Sequence, residues 1–294
     1  MCNRLKMKES NQIINEKYNK DNHIIYFNQE DEVPVIKFQV LEKIPFIKHG
    51  FSTKLGGVST GDLATMNLSF HRGDMAETVT ENYRRICEAI GLVKDNLVFS
   101  DQVHDIKIHK VIKADMGKGI VRDSDIKEID GLITNEKDIP LVTFYADCVP
   151  LYFVDPVNKA IGLTHSGWKG TVRRIGNETV KAMKENYNSS PDDIIAVIGP
   201  SICRDCYEVS EDVANEFRTN FKEEIVDKIL EEKENGKYQL DLWLVNKYIL
   251  MEAGIKEENI TISSVCTCCN HDILFSHRAT KGKRGNLAAF LSIS

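Results

Sequence analysis

A chain of 294 residues, 42% apolar and 28% charged, is long enough to bury a sizeable core, and its formal charge is −6. That balance excludes a sequence-independent nucleic-acid binder, which needs a basic face. No apolar run approaches the roughly 20 residues of a membrane-spanning helix, and the opening MCNRLKMKESNQIINEKYNK has no apolar block ahead of a small-residue cleavage site, so neither a membrane anchor nor a signal peptide is expected.

The expected location is therefore cytoplasmic. In that setting the eight cysteines are thiols or metal ligands, because a disulfide framework belongs to short secreted chains. Residues 1–30 are polar, rich in Asn and Lys, and read as an N-terminal extension with room for one strand at its end. Residues 31–294 read as one α/β domain with a mixed sheet or sheets. VPVIKFQVL and HGFST are strand-like, and the Gly-rich loop KLGGVSTGDLATMNLSFHRGD follows. A helix is predicted from about Met75 to Ile90, with Asp74 as N-cap and Gly91 as the C′ residue. Val79, Tyr83, Ile86, Cys87 and Ile90 share one face of it, which makes Cys87 a small core residue. Short strands are predicted at NLVFS, IKIHKVI, GLIT, LVTFY, LYFVD and AIGLT. A helix over about 170–186, the strand IIAVIG, and helices near 210–232 and 241–253 come next, the last capped by Asp241 and ended by Gly254. ITISSV and NLAAFLSI close the series, and no Pro/Ser-rich linker or repeat divides it.

One stretch resists a purely structural reading. LVTFYADCVPLYFVDP, residues 141–156, places Asp147, Cys148 and Pro150 inside an otherwise apolar run. Buried strands favour unbroken apolar residues, and proline cannot donate a ladder hydrogen bond. LVFSDQVH, LVTFYADC and AIGLTHSGW share this pattern, an apolar strand leading to a metal-capable residue. Strand ends are where loops build sites in α/β folds. The residues so delivered, His104, Cys148 and His165, suit zinc, and three protein ligands leave a fourth position open, as catalytic sites require. The thiolate argues against Mg²⁺ and Ca²⁺ and leaves Cu²⁺ possible. The gaps between them match no short metal motif, and the same residues also read as a buried thiol beside two hydrogen-bonded histidines, or as a Cys148 nucleophile with His165 as its base, oriented by Asp147 or a backbone carbonyl. Asp147 is either such an orienting or proton-accepting group or a turn-capping carboxylate.

Several residues near these segments are candidates for substrate. Lys54 and the GGVSTG loop offer a charge and backbone N–H groups to an anion, although this is not a Walker A pattern. Arg72 and Lys169 are charged loop residues that either meet an anion or are merely solvated. Asn67 and Gln102 are candidates for a base or ribose, or for capping a turn. Trp168 walls a purine pocket or packs in the core. His49 and His71 are read as structural. Cys203 and Cys206 in C-x-x-C, with Cys266, Cys268 and Cys269 in C-x-C-C, form either a four-thiolate zinc site or simply packed and exposed thiols. The basic segment HDILFSHRATKGKRG is an anion-attracting lid or a solvated loop.

HGFSTKLGGVSTG, QVH, DGLIT, ADCVPLYFVDP, IGLTHSGWKGT, IGPSIC, CYEV and the late CTCC and LFSHR occur in that order. This set resembles the laccase-domain family, the polyphenol-oxidase-like YfiH type regarded as zinc-containing purine nucleoside phosphorylases. The likeness runs over roughly residues 33–293. It implies an α/β layered sandwich of the type shared with a toxin deamidase that uses a Cys–His pair. It also implies His104, Cys148 and His165 as zinc ligands, with a purine nucleoside and phosphate as partners. The implied activity is phosphorolysis of adenosine, inosine and methylthioadenosine, with adenosine deamination in some members. Where the family pattern reads Asn-Arg this chain has Asn82-Tyr83, so Arg84 or Arg72 would have to stand in. A copper-dependent phenol oxidase, the older reading of the family, expects H-x-H copper motifs, which the chain lacks.

Overall fold

Side-chain alternation decides the architecture. The strand Val149–Asp155 is buried along its whole length, and its residues divide between two cores. Leu151 and Phe153 join one cluster, while Tyr152 and Val154 join another. The strand Leu287–Ile293 does the same: Leu287, Ala289, Leu291 and Ile293 meet Tyr152 and Val154 in the shared cluster, and Ala288 and Phe290 point the other way. Since successive strand residues face opposite sides of a sheet, two sheets must stack through the shared cluster, each with its outer face covered.

This computed structural model describes residues 32–294, preceded by the backbone of the two-residue strands Lys6–Met7, Ile13–Ile14 and Ile25–Tyr26. The rest of the expected 1–30 extension lies outside the described residues. One six-stranded sheet runs in the order Ile25–Tyr26, Val35–Phe38, Ile47–Ser52, Leu287–Ile293, Leu141–Tyr145, Val98–Phe99. The other runs Ile260–Ile262, Ile195–Ile198, Val149–Asp155, Ala160–Ser166, Gly131–Thr134, Ile108–Lys110. Both are mixed: Val98–Phe99 is parallel to its neighbour in the first, and Ile260–Ile262 and Ile108–Lys110 are parallel to theirs in the second. The helix Ala76–Ile90 covers the first sheet through Val79, Tyr83, Ile86 and Cys87. Ile175–Tyr187 and Leu242–Glu252 cover the second. The result is a mixed α/β sandwich of four layers, helix, sheet, sheet, helix.

Most predicted elements are present, and the differences have local causes. Gly91 ends its helix in the left-handed region at φ 79°, and the Asp241 side chain accepts from the Leu244 N–H at 2.9 Å as an N-cap. Asp74 does not cap its helix. Met75 takes that position without a side-chain bond, because the Asp74 carboxylate is held by Ser59 and the Asn67 amide. The helix expected near 170–186 is broken at Arg174, which is left-handed at φ 61°. The expected 210–232 helix is two short ones, Glu211–Asn220 and Glu223–Ile229. The strand Leu230–Glu232 follows and pairs with Tyr238–Leu240 in a three-stranded sheet. Among the described residues no helix is long and apolar enough to cross a membrane.

Candidate metal centre

The polar insert ADC is where the chain crosses between sheets. Leu141–Tyr145 lies in the first sheet and Val149–Asp155 in the second. The turn between them places Asp147 in the left-handed region at φ 96° and leaves Cys148 half-buried. His165 stands on the neighbouring strand Ala160–Ser166, in register with Pro150. His104 comes from the loop beyond Val98–Phe99 rather than from a strand end, itself at φ 64°.

These three side chains converge. The Cys148 Sγ lies 3.9 Å from His104 Nε2, the two imidazoles meet edge to face with centroids 4.8 Å apart, and one ligand atom from each residue lies within 4.8 Å of the others. Zinc ligands at about 2.0–2.3 Å from a common ion stand about 3.5 Å from one another, so the set needs only a small contraction. Gly167 permits this approach. A Cβ there would lie 2.6 Å from the His104 ring and 3.3 Å from the Cys148 sulfur.

Asp130, which opens the Gly131–Thr134 strand, organises the set from behind. It is fully buried, and its carboxylate accepts the Val103, His104 and Asp105 backbone N–H groups at 3.0, 3.0 and 2.9 Å. Those three bonds hold the strained His104 loop in place. The same carboxylate lies 2.7 Å from His165 Nδ1, which leaves Nε2 for a ligand. A carboxylate behind a ligating imidazole is the usual support of a metal site, and the donor set together with this support fits a thiophilic divalent cation.

Electrostatics show how strongly the groups couple. Burial raises the Cys148 thiol, but the His165 and His104 imidazoles outweigh it and bring the thiol down to about 6. Burial lowers His165, but the Cys148 sulfur and the Asp130 carboxylate overcome that and lift it to about 9. Burial likewise raises Asp130, yet His165 and the backbone N–H groups hold it below the ordinary carboxylate range. Without a cation these groups form a thiolate–imidazolium–carboxylate chain.

The three residues open onto a cavity of about 470 Å³, within the range usual for small-molecule sites. Phe70, Phe99 and Phe144 line it, as do Arg72 and Arg284. Both guanidiniums donate to Asn286 Oδ1, Arg72 at 3.4 Å. Burial and then the neighbouring Arg72 bring Arg284 down to about 10, and its buried Nε has no hydrogen-bond partner. Two cations sharing a neutral oxygen form a ready receptor for an anion.

The other expected site residues are dispersed. Arg72 and Gln102 line the cavity, although the Gln102 amide is occupied by both backbone groups of Phe144 and by Ser100. Lys54, Asn67 and Lys169 are not on its wall. Lys54 Nζ donates to the His271 carbonyl at 2.7 Å. Asn67 is fully buried, and its amide joins Ser69, Asp74 and the Asn286 N–H. Lys169 is exposed over the Trp168 ring, and Trp168 packs on a core cluster away from the cavity. The central N–H groups of the GGVSTG loop are already committed: those of Gly57, Val58 and Ser59 bond to Thr65, Asn82 and Thr65, and the loop is not on the cavity wall. Asp147 is buried, accepting from Thr267 Oγ1 at 2.6 Å and from the Arg278 N–H at 2.7 Å. His71 is exposed on the cavity wall, and His49 is buried in a strand, accepting the Phe38 N–H at 2.8 Å. At Asn82-Tyr83, the tyrosine is buried and donates to the Leu68 carbonyl. Of the two arginines expected to stand in there, Arg72 reaches the cavity and Arg84 pairs with Glu81 and Glu88 elsewhere.

Asp130 and the phenylalanine wall were not singled out from sequence, whereas Arg284 belongs to the basic segment HDILFSHRATKGKRG read as an anion-attracting lid or a solvated loop, and it lines the cavity. The signal for Asp130 was an acid opening an apolar strand in DGLIT. The phenylalanines carry none, since core and cavity aromatics read alike.

A two-sheet sandwich with a His–Cys–His cluster at the crossing between its sheets defines a class, and the sequence agrees. Residues 48–294 match the family described as multi-copper polyphenol oxidoreductase laccase, and the chain belongs to it. Purine nucleoside phosphorylase YlmD of Bacillus subtilis is 40% identical over 245 residues, 83% of this chain and 87% of that protein. The YlmD of Geobacillus stearothermophilus is 36% identical over 82% of this chain and 88% of its own length. The crystal structure of that YlmD superposes with a TM-score of 0.84 at 34% identity, covering 91% of this chain and 98% of the other. The hypothetical protein YfiH of Bacillus licheniformis gives 0.85 at 34%, covering 91% and 99%.

Proposed function

We propose that this chain is a purine nucleoside phosphorylase with a zinc ion held by His104, Cys148 and His165. The observation that carries the reading is the cavity that joins this cluster to an arginine pair and an aromatic wall, and relatives that bear the phosphorylase name support it. The substrates are adenosine, inosine and methylthioadenosine, with adenosine deamination as a side activity. Residues 31–294 act as one catalytic domain in the cytoplasm, with residues 1–30 as an extension.

In this reading Arg72 and Arg284 hold phosphate, and the buried Nε of Arg284 gains the partner it lacks. Phe70, Phe99 and Phe144 hold the purine and keep water from its face. The phosphate oxygen bonds to ribose C1′ as the bond from C1′ to the purine nitrogen breaks, and the departing base takes up a proton. Asp130 keeps His165 in the tautomer that presents Nε2 and fixes the loop that carries His104. Asp147 orients the turn bearing Cys148. Zinc against one thiolate would add about one net positive charge, which polarises an oxygen or nitrogen of the bound nucleoside or phosphate. Gln102 positions the cavity wall through Phe144, Asn67 accepts the Asn286 N–H behind the arginine pair, and Lys54 and Lys169, which lie off the wall, take no part in this reading.

Metal-replete protein given adenosine and phosphate is expected to yield ribose 1-phosphate and adenine. Equal base release without phosphate would indicate hydrolysis, and release of ammonia and inosine would indicate deamination. A multi-copper oxidase is disfavoured, since among the described residues one cluster alone combines histidine with cysteine. Single Cu²⁺ occupancy at the three ligands remains the alternative metal.

A second reading has its own support. The lowered Cys148 thiol, the raised His165 and the Asp130 carboxylate behind it are arranged as a nucleophile, base and orienting acid. This Cys–His hydrolase or deamidase reading, which carries the expected kinship with the toxin deamidase fold, requires activity that survives a chelator. Phosphorolysis that disappears with chelation and returns with Zn²⁺ decides against it.

A further inference from the structure

Five cysteines outside the cavity come from two segments about sixty residues apart, and four of them meet. The sulfurs of Cys203, Cys206, Cys266 and Cys269 all lie within 4.8 Å of one another. Cys206 and Cys269 are 3.3 Å apart at sulfur. Four sulfurs at about 2.3 Å from a zinc ion stand about 3.8 Å apart, so the cluster is close enough to close around one ion with small shifts.

The two segments share a second feature. The ligand pairs are Cys203–Cys206 and Cys266–Cys269, each three residues apart, so the run CTCC contains a second C-x-x-C. In each pair the backbone N–H of the later cysteine turns back on the earlier one: Cys269 donates to Cys266 Sγ at 3.4 Å, and Cys206 donates to the Cys203 carbonyl at 3.1 Å. The Cys203 N–H adds a bond to Cys266 Sγ at 3.3 Å. A single-turn 3₁₀ segment, Arg204–Cys206, closes the first pair. Backbone donors aimed at sulfur favour thiolates and hence a cation among them. Simple core packing of thiols calls for neither the paired turns nor these bonds.

We propose that Cys203, Cys206, Cys266 and Cys269 form a structural tetrathiolate site for a thiophilic divalent cation, Zn²⁺ first. Cys269 is disulfide-bonded in the structure, so loading begins with reduction. A dithiol reductant gives two electrons and two protons to that bond, becomes a cyclic disulfide, and leaves both protein sulfurs as thiols. The cation then displaces the protons of the four ligand thiols. The site has a mechanical purpose as well as a chemical one. Thr267, between two of the ligands, donates to the Asp147 carboxylate, and the Ile202 N–H donates to the Asp147 carbonyl at 2.9 Å. Both cysteine turns are thus fastened to the residue preceding Cys148.

The test counts metal on the full chain, purified under a dithiol reductant, loaded with Zn²⁺ and dialysed against metal-free buffer. About two cations per chain are expected in the wild type and about one in Cys148→Ser. The cation kept by Cys148→Ser, exchanged for Co²⁺, is expected to show the intense sulfur-to-cobalt charge transfer of a four-thiolate site, and adding Cys206→Ser is expected to abolish it. A wild-type count of one that falls to zero in Cys148→Ser overturns the proposal, as does a Co²⁺ band indifferent to Cys206→Ser. If the double variant does not fold, the wild-type and Cys148→Ser counts decide alone. If the phosphorylase reading failed because its own zinc does not bind, both proteins would hold one cation with the four-thiolate Co²⁺ band intact, which tells that failure apart from failure of the tetrathiolate site.

Discussion

Asp130 is the residue on which the centre turns, because one carboxylate serves two tasks. It receives three backbone N–H groups from the His104 loop and faces His165 Nδ1. Asp130→Asn removes the charge and replaces one acceptor oxygen with a donor. Zinc affinity, measured by chelator competition, is expected to fall about 10- to 100-fold, the usual cost of losing such support. Cys148 offers a second check. Its folded value of about 6 lies below the ordinary thiol value of 9, so in metal-free protein the thiolate predominates above pH 6 and is lost as pH falls through that point. Alkylation by iodoacetamide should therefore show a midpoint near pH 6, move upward in Asp130→Asn, and be suppressed by Zn²⁺. The candidate ligands were legible in part: Cys148 and His165 close apolar runs, but that pattern alone equally suits a buried thiol beside hydrogen-bonded histidines, and His104 arrives on a loop that only the fold brings near. Asp130 was not, since an acid before a strand looks the same whether it caps a turn or collects three N–H groups from a distant loop.

The strand-to-helix junction after His165 carries an element-level constraint. Gly167 lies between the Ala160–Ser166 strand and the helix Trp168–Val172, with φ −73° and ψ 171° that any residue can adopt. The need for glycine is therefore purely one of space. Gly167→Ala should leave thermal stability within a few degrees while pushing the His104 ring away, with loss of metal and of phosphorolysis. Retention of full metal occupancy would refute that account. Element by element, the apolar strands and, of the three covering helices, Ala76–Ile90 and Leu242–Glu252 were legible through period and caps. The strands Leu230–Glu232 and Tyr238–Leu240 were hidden by their short length and charged neighbours. The GGVSTG loop misled for a related reason: glycines in a loop suggest exposed N–H groups, and only the fold reveals that these are consumed by Thr65 and Asn82.

At the scale of the molecule, the two sheets are joined by more than apolar contact. Tyr152 is fully buried between them and donates its hydroxyl to the Gly50 carbonyl on the opposite sheet at 3.0 Å. Tyr152→Phe should cost about 1–2 kcal/mol in denaturant unfolding, the worth of a buried hydrogen bond with its acceptor stranded. Acid should act globally through His49, which burial and then Lys37 depress to about 3. The unfolded chain, with its histidine near 6.5, binds the proton more readily, so stability is complete above that value and declines as pH falls below it. The slope is about 1.4 kcal/mol per pH unit. Unfolding midpoints at pH 7 and pH 5 should diverge in the wild type and converge in His49→Gln. A mixed α/β fold was legible from the interleaved elements. The stacking of two sheets through one shared core was not, because it depends on which strands pair, and those partners are far apart along the chain.

That distance has a consequence for how the protein is made. Leu287–Ile293 sits between Ile47–Ser52 and Leu141–Tyr145, with Phe290 opposite both Gly50 and Val142. It leaves the ribosome after both of its neighbours, so the first sheet waits with an open seam until a late segment arrives to fill it. Such long-range closure is slow, and the unfilled seam presents bare edges that other nascent copies can join. Chaperone protection during synthesis should matter more to this protein's yield than its finished stability does.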